Sequence, residues 1–362
     1  MSLILNTTTP LSEGNLIINP AGVHHFVIAH DGQAQAGIAE NITITAKDAN
    51  NATVTNYTGT INIDTTGTSG TITWAKVTGS GAFIDGGAGV DTAIYTYSAA
   101  DNGIVILSIT DTTAETLNIS VSGSGKSDDN TESNLVVNPS ALHHFVIVHD
   151  NSAEAGVAEE MSITAKDTYG NTITNYTGTI TVDTNGTATA ISWGLALGNG
   201  TFVDGGAGVD TAAYTYHSSD SGVVILRIID TQVETINISV SGGGKTDDNT
   251  EGNLVVGAGA LDHFIIAHDG LAVAGIADAV TVTAYDVYNN IKRNYTGTIT
   301  LDTGGTATAI NWSVSSGLGV FSDGGASVDT ATYTFVGADN GAAVFMITDT
   351  KAETIDIDVS AS

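Results

Sequence analysis

ENITITAKDANNATVTNYTGTINID, residues 40–64, alternates apolar and polar side chains on either side of a loop rich in Asn and Asp. Ile42, Ile44 and Ala46 alternate with Thr43, Thr45 and Lys47, and Ile61 and Ile63 alternate with Asn62 and Asp64. A period of two places one set of side chains in a core and the other in water, which is the pattern of a half-buried strand. The same text returns as MSITAKDTYGNTITNYTGTITVD at 161–183 and as VTVTAYDVYNNIKRNYTGTITLD at 280–302. Asp48, Asp167 and Asp286 fall in register at a step of 119 residues. HHFVIAHD at His24, HHFVIVHD at His143 and DHFIIAHD at Asp262 keep that step, as do DGGAGVDT at Asp85, its copy at Asp204 and DGGASVDT at Asp323. Three such periods account for all but 5 of the 362 residues. A period this long is a folding domain rather than a solenoid unit, so the chain is read as three copies of one domain.

Residues 92–98, 102–111 and 116–122 alternate in the same way or run apolar, and Thr, Val, Ile and Tyr dominate them. Gly, Asn and Asp break the runs at the spacing of a β-sandwich, and no stretch carries a capped helical period. Eight or nine short strands per repeat, in two antiparallel sheets packed face to face, are expected. The chain has no Cys, so disulfides, thiolate metal sites and Cys nucleophiles are excluded. Lys and Arg number 9 against 39 Asp and Glu, a formal charge of −30 that repels phosphate and excludes nucleic acid as a partner. No apolar run approaches the ~20 residues of a membrane-spanning helix, so membrane insertion is not expected. No G-x-S-x-G elbow is present. Every strong carboxylate recurs at the repeat step, which favours scaffold over enzyme.

The residues also carry a family resemblance. HFVI, AGIAENITITAKDANNATVTNYTGTI, YTYSAADNGIVILSITDT and the closing NLVV resemble bacterial immunoglobulin-like repeats of the invasin and intimin type, found in large surface proteins and adhesins. The resemblance spans each repeat, and TAKDxxxNxVTxYTGT is its most specific part; the segment 71–92 is an insert relative to shorter units. It implies an all-β fold of three tandem immunoglobulin-like sandwiches in an elongated array. It also implies an extracellular, cell-surface location and a role as stalk, spacer or adhesive surface, without enzyme activity.

In that family the last strand of a domain precedes HF, so NLVV at 134–137 closes repeat 1 and NLVV at 253–256 closes repeat 2. The domains are then 21–138, 139–257 and 258–362, preceded by an extension over 1–20 that holds a spare closing strand, Asn15, Leu16, Ile17, Ile18, Asn19 and Pro20. Repeat 3 lacks its own closing strand. Either the chain is part of a longer array cut out of phase, or the spare strand of one copy completes repeat 3 of the next and builds a head-to-tail filament.

Asp128, Asp129 and Glu132 in KSDDNTE, and Asp247, Asp248 and Glu251 in KTDDNTE, precede the closing strands. An immunoglobulin-like topology would set them near the loop of Asp48, Asp167 or Asp286, where hard oxygen ligands suit Ca²⁺ and would stiffen a domain junction. The competing reading is solvated turns, which Asp and Asn form readily. DGGAGVDT is read as a tight turn. His30, His149 and His268 each precede an Asp, and a His–Asp hydrogen bond at a strand end is expected. Trp74, Trp193 and Trp312 are read as core, with a carbohydrate-stacking platform as the alternative. The expected partners are neighbouring copies or adjacent repeats, together with a cell-surface receptor or a glycan.

Overall fold

The computed structural model describes residues 22–361. The chain divides into two compact units: the residues up to Ala141 together with Asp167–Asn171, and Leu142–Lys166 together with Thr172 onward. Asn15–Pro20, expected from the sequence as a spare closing strand, lies outside the described residues.

The first unit holds one β-sandwich. One sheet runs in the order His25–Ala29, Glu40–Lys47, Ile104–Asp111, Ile72–Thr78, all antiparallel. The facing sheet runs Lys126–Ser127, Ile119–Gly123, Thr60–Thr65, Ala93–Thr96, Ala82–Asp85. The alternation read from residues 40–64 becomes the core: Ile42, Ile44, Ile61 and Ile63 point inward against Phe26, Tyr95, Val105 and Leu107 and are fully buried. Each such side chain contributes roughly 1.5–3 kcal/mol by leaving water.

A third, three-stranded sheet departs from the expected pair of antiparallel sheets. Leu135–Asn138 lies between Gln33–Gln35, to which it is parallel, and Thr116–Leu117, to which it is antiparallel. The run expected as one strand over 116–122 breaks at Asn118, because the chain there leaves the third sheet for the second. Thr66 Oγ1 accepts the Asn118 N–H at 2.9 Å across that corner. The closing strand buries Leu135 and Val137 in the slit between the main sheets.

In the second unit, repeat 2 repeats this plan, with Leu254–Gly257 between Ser152–Glu154 and Thr235–Ile236. Repeat 3 has the two main sheets, each four-stranded, and no third sheet among the described residues. Residues 271–273 and 354–355, the counterparts of the two outer strands, have no strand between them. The core is open on that side: Phe26 and Phe145 are fully buried, whereas Phe264 is half-buried.

The tyrosine next to the end of one core strand anchors a buried carboxylate in every repeat. In repeat 2 the Tyr214 hydroxyl donates to Asp220 Oδ2 at 2.7 Å and accepts the Gly200 N–H at 2.8 Å. Asp220 also accepts the N–H groups of Asn199 and His217. A Cβ at Gly200 would meet Thr215 O at 1.9 Å, so only glycine lets the backbone approach the ring this closely. Burial and the Asp220 hydrogen bond push the Tyr214 pKa up to about 12. Burial raises that of Asp220, but its N–H and O–H donors outweigh it and hold the carboxyl below its ordinary value. Asp220→Ala should lower the unfolding free energy of the chain by about 2 kcal/mol in urea titrations, the cost of orphaning buried partners. Tyr214→Phe should then cost far less in the Asp220→Ala background than alone, since both report one network.

Candidate functional site

The strongest constellation of polar groups sits where repeat 3 meets repeat 2 within the second unit. The strand Asp278–Tyr285 ends in the loop Asp286–Asn290, whose first residue folds the loop around its own carboxylate. Asp286 Oδ1 accepts the N–H groups of Tyr288 at 2.9 Å and Asn290 at 2.8 Å. Its Oδ2 accepts the Gly259 N–H and the Asn290 side-chain amide, each at 2.9 Å. The residue is 0 % exposed. Burial raises its pKa, but the Asn290 side chain and the three backbone N–H groups outweigh burial and hold the carboxyl below its ordinary value of 3.8.

That cage aims Asn290. Its Nδ2 donates to Thr231 O at 2.9 Å, and its Oδ1 accepts the Val233 N–H at 3.1 Å. One side-chain amide therefore pairs with the backbone of repeat 2 as a strand would. Beside it, the Tyr288 ring lies on Gly156: a Cβ there would fall 2.3 Å from the ring, and the residue has φ +79°. The first unit contains the same grip. Asn171 Nδ2 donates to Thr112 O at 2.9 Å and its Oδ1 accepts the Ala114 N–H at 3.0 Å, Asp167 holds Asn171, and Tyr169 covers Gly37.

Tyr169, Asn171, Tyr288 and Asn290 carry no role among the expectations drawn from the sequence. The signal that would have found them is a contrast between copies. Repeats 2 and 3 share D-x-Y-x-N, whereas repeat 1 reads Asp48-Ala49-Asn50-Asn51-Ala52. Asp48 still closes its own loop, with Oδ1 accepting from Asn50 and Ala52.

The acidic loops expected beside these aspartates are each held by hydrogen bonds to their own sandwich. Asp128 Oδ1 accepts the Val121 N–H at 2.8 Å, and the Asp129 N–H donates to Phe26 O, so the loop is pinned to strands of its own sandwich. Asp129 Oδ1 accepts from Thr131, and its Oδ2 lies 4.0 Å from His25 Nε2. Asp247 and Asp248 repeat these contacts with Val240, Phe145, Thr250 and His144. Glu132 and Glu251 have both carboxylate oxygens buried without a hydrogen-bond partner. Among the described residues no group of three or more His, Asp or Glu side chains is gathered in a way that could hold a metal ion. Asp167 and Asp286 are surrounded by N–H donors, which present positive hydrogens where a cation would need free oxygens.

Three further expectations are settled by geometry. DGGAGVDT is a hairpin turn, with Gly87 and Gly89 at φ +90° and +91°. His30, His149 and His268 do not bond the following Asp; each Nδ1 accepts the backbone N–H two residues on, at 3.0–3.1 Å. All three tryptophans are buried, and each indole N–H donates to the carbonyl of Asp91, Asp210 or Asp329. No indole face is open for a sugar to stack on.

No protein-family model matches the chain, and no curated protein matches it. Among solved structures it is similar to FdeC, described as a broadly conserved Escherichia coli adhesin, at 17 % identity and a TM-score of 0.51. The match covers 96 % of this chain and 95 % of that one. Invasin, described as a bacterial integrin-binding protein, matches at 12 % identity and a TM-score of 0.39 over 92 % of this chain and 56 % of its own. Yersinia pseudotuberculosis InvD matches at 17 % and 0.36 over 92 % and 84 %.

Two outcomes test the electrostatics. The Asp286 carboxyl titrates below its unfolded value, so its stabilisation is complete above about pH 4 and is lost as the pH falls further. Amide exchange at Tyr288 and Val233 should therefore accelerate below about pH 4, beyond the intrinsic trend. Burial, joined by the charges of Asp247 and Asp248, pushes the Glu251 pKa up. Glu251→Gln should accordingly raise the melting temperature at pH 7, with the gain fading in acid as the parent carboxyl takes up its proton. A melting temperature that rises with Ca²⁺ in the parent and not in Glu251→Gln would instead assign this carboxylate to a bound cation. The likeness to FdeC is one of fold: the chain is a tandem series of immunoglobulin-like sandwiches of the kind seen in bacterial adhesin repeats.

Proposed function

We propose that the chain is a structural and adhesive repeat module of an extracellular, cell-surface protein, acting as a stalk or spacer whose successive sandwiches are fastened to one another. The observation that carries this reading is Asn290. A flexible tether needs only a polar linker. Here a buried carboxylate, a side-chain amide and a tyrosine are all committed to holding one repeat against the backbone of the one before it. Two backbone-directed hydrogen bonds contribute about 1 kcal/mol each, enough to favour one orientation strongly over free swivelling.

The fold shared with an adhesin supports a place outside the cell, and a chain without Cys crosses to that side without disulfide mispairing. The −30 charge keeps a repetitive β-rich chain soluble. In this reading no residue performs a catalytic step. The partners are adjacent repeats, and a receptor or glycan would be met by exposed loops rather than by the buried tryptophans.

Asn290→Ala combined with Tyr288→Ala tests the fastening. Amide exchange at Val233 should accelerate on the order of tenfold, and the small-angle scattering profile should broaden toward longer maximum dimensions. The urea unfolding of the sandwiches themselves should stay as in the parent. Unchanged exchange and unchanged scattering would show that the loop does not set the orientation, and the spacer reading would fall.

A further inference from the structure

Repeats 1 and 2 lead into the strands His25–Ala29 and His144–Val148 with two consecutive histidines, His24 with His25 and His143 with His144. On a regular strand two neighbours would face opposite ways. Here only the second histidine belongs to the strand, and His24 and His143 stand in the approach to it. The His24 N–H donates to Lys47 O at 2.7 Å, and the His143 N–H to Lys166 O at 2.8 Å, so the approach is fixed to the neighbouring strand. That offset lets the rings of each pair meet. Nδ1 of His24 lies 3.2 Å from Nδ1 of His25, and Nδ1 of His143 lies 3.0 Å from Nδ1 of His144. The rings stand nearly perpendicular, at 85° and 88°.

A nitrogen–nitrogen contact of this length between neutral imidazoles holds one proton, because one Nδ1 donates and the other accepts. The second ring of each pair turns its Nε2 toward a carboxylate. His25 Nε2 lies 4.0 Å from Asp129 Oδ2, and His144 Nε2 lies 4.0 Å from Asp248 Oδ2. That neighbour favours the tautomer with the proton on Nε2, which assigns the proton between the rings to the first histidine, the exposed one. Moving that proton to the first ring's own Nε2 leaves two lone pairs converging on one point. A metal ion about 2.0–2.1 Å from both nitrogens would subtend about 90–105° at these separations, which fits tetragonal and tetrahedral ions alike. A carboxylate behind the second ring is the usual companion of a metal-bound histidine, since it orients the ring and makes the ligating nitrogen more basic. The cross-strand neighbours Lys47 and Lys166 turn their ammonium groups to Thr53 and Thr172, at 3.1 and 3.0 Å. The −30 charge of the chain draws cations toward the surface.

We propose that His24 with His25, and His143 with His144, each form a two-nitrogen chelate for a divalent transition-metal ion, with Cu²⁺ held most tightly. Each site uses two side chains only, and so differs from the gathering of three or more that the described residues lack. The remaining positions on the ion are open to water or to a ligand from outside. Repeat 3 has no such pair. Asp262 Oδ2 stands in place of the first nitrogen and accepts from His263 Nδ1 at 2.9 Å, while Tyr285, in the place of Lys47 and Lys166, stacks on the His263 ring at 5.6 Å. The other histidines form no further pair. His30, His149 and His268 engage Nδ1 with a turn amide, and His217 engages its own with Ser219. The chain should therefore bind two ions rather than three.

This inference goes beyond the spacer reading and does not need the Asn290 grip, so the two are tested apart. The full chain, stripped of metal with a chelator, is titrated with CuCl₂ at neutral pH and followed by calorimetry and electron paramagnetic resonance. Two Cu²⁺ ions should bind well above the weak background of surface carboxylates, each with superhyperfine splitting from two nitrogens. His24→Ala should leave one such ion, His143→Ala should likewise leave one, and the double variant should leave none, with affinity at each altered site down at least tenfold. Both residues are exposed and precede their strands, so the urea unfolding of the metal-free variants should match the parent, which separates a lost ligand from a lost fold. His217→Ala, which touches neither pair, should keep both ions. Two-nitrogen spectra that persist in the double variant, or a parent that binds Cu²⁺ no more tightly than the double variant, would overturn the proposal.

Discussion

Completion of a sandwich by its closing strand is the constraint on which the rest of the structure depends. The strand at Leu135–Asn138 reaches back to Gln33–Gln35 near the start of the same repeat, so one short segment ties together both ends of the domain. It does so by plugging Leu135 and Val137 into the slit between the main sheets, which lets Phe26, Leu117 and Ile119 become fully buried. At roughly 1.5–3 kcal/mol for each fully buried side chain, such a plug is a large share of a domain's net stability. Among the described residues of repeat 3 no strand lies at this place, and Phe264, Ile355 and Ile357 are half-buried beside a groove.

A second constraint comes from the charge. With 39 acidic and 9 basic residues, buried carboxylates cannot be matched by Lys or Arg. The fold answers with backbone N–H groups. Asp167, Asp220, Asp286 and Asp339 each accept several of them and titrate below the ordinary range, although burial alone would push them upward. Amide donors converge on one carboxylate only where the chain turns sharply, so each buried aspartate also fixes a loop. Asp111 and Asp230 go the other way. Burial and the neighbouring Glu115 and Glu234 push their pKa values up, and one oxygen of each is buried without a partner. These two flank the backbone segments that Asn171 and Asn290 hold, so a carboxylate disfavoured by burial lies next to each of them.

Much of the fold could be read from the sequence because it rests on periodicity. The step of 119 and the alternation around Ile42, Ile44, Ile61 and Ile63 express burial directly, and the strands fall where that alternation places them. The third sheet was not legible. Its partner strands are two or three residues long, too short for a period to show, and its parallel pairing joins segments about a hundred residues apart. The fastening loops were hidden for a different reason. Asn290 recognises a carbonyl and an N–H, groups every residue has, so its target leaves no mark in the sequence. The histidines misled because adjacency in sequence suggested a His–Asp pair, while the turn brings the amide two residues on into better line with Nδ1.

The same asymmetry explains where specificity in such a series resides. The receiving side of the grip is a stretch of backbone and a glycine of positive φ, features that repeat 3 also retains at Thr350, Ala352 and Gly275. The giving side needs three particular side chains in one five-residue loop: the Asp that folds it, the Tyr that covers the glycine and the Asn that pairs with the backbone. Any repeat can therefore receive, but only a repeat with D-x-Y-x-N can give. Repeats 2 and 3 have that loop, and repeat 1, with Asn50 and Ala52 at those positions, does not. The receiving surface is generic backbone, so the residues that distinguish one junction from another lie in the giving loop, outside the strands of the core.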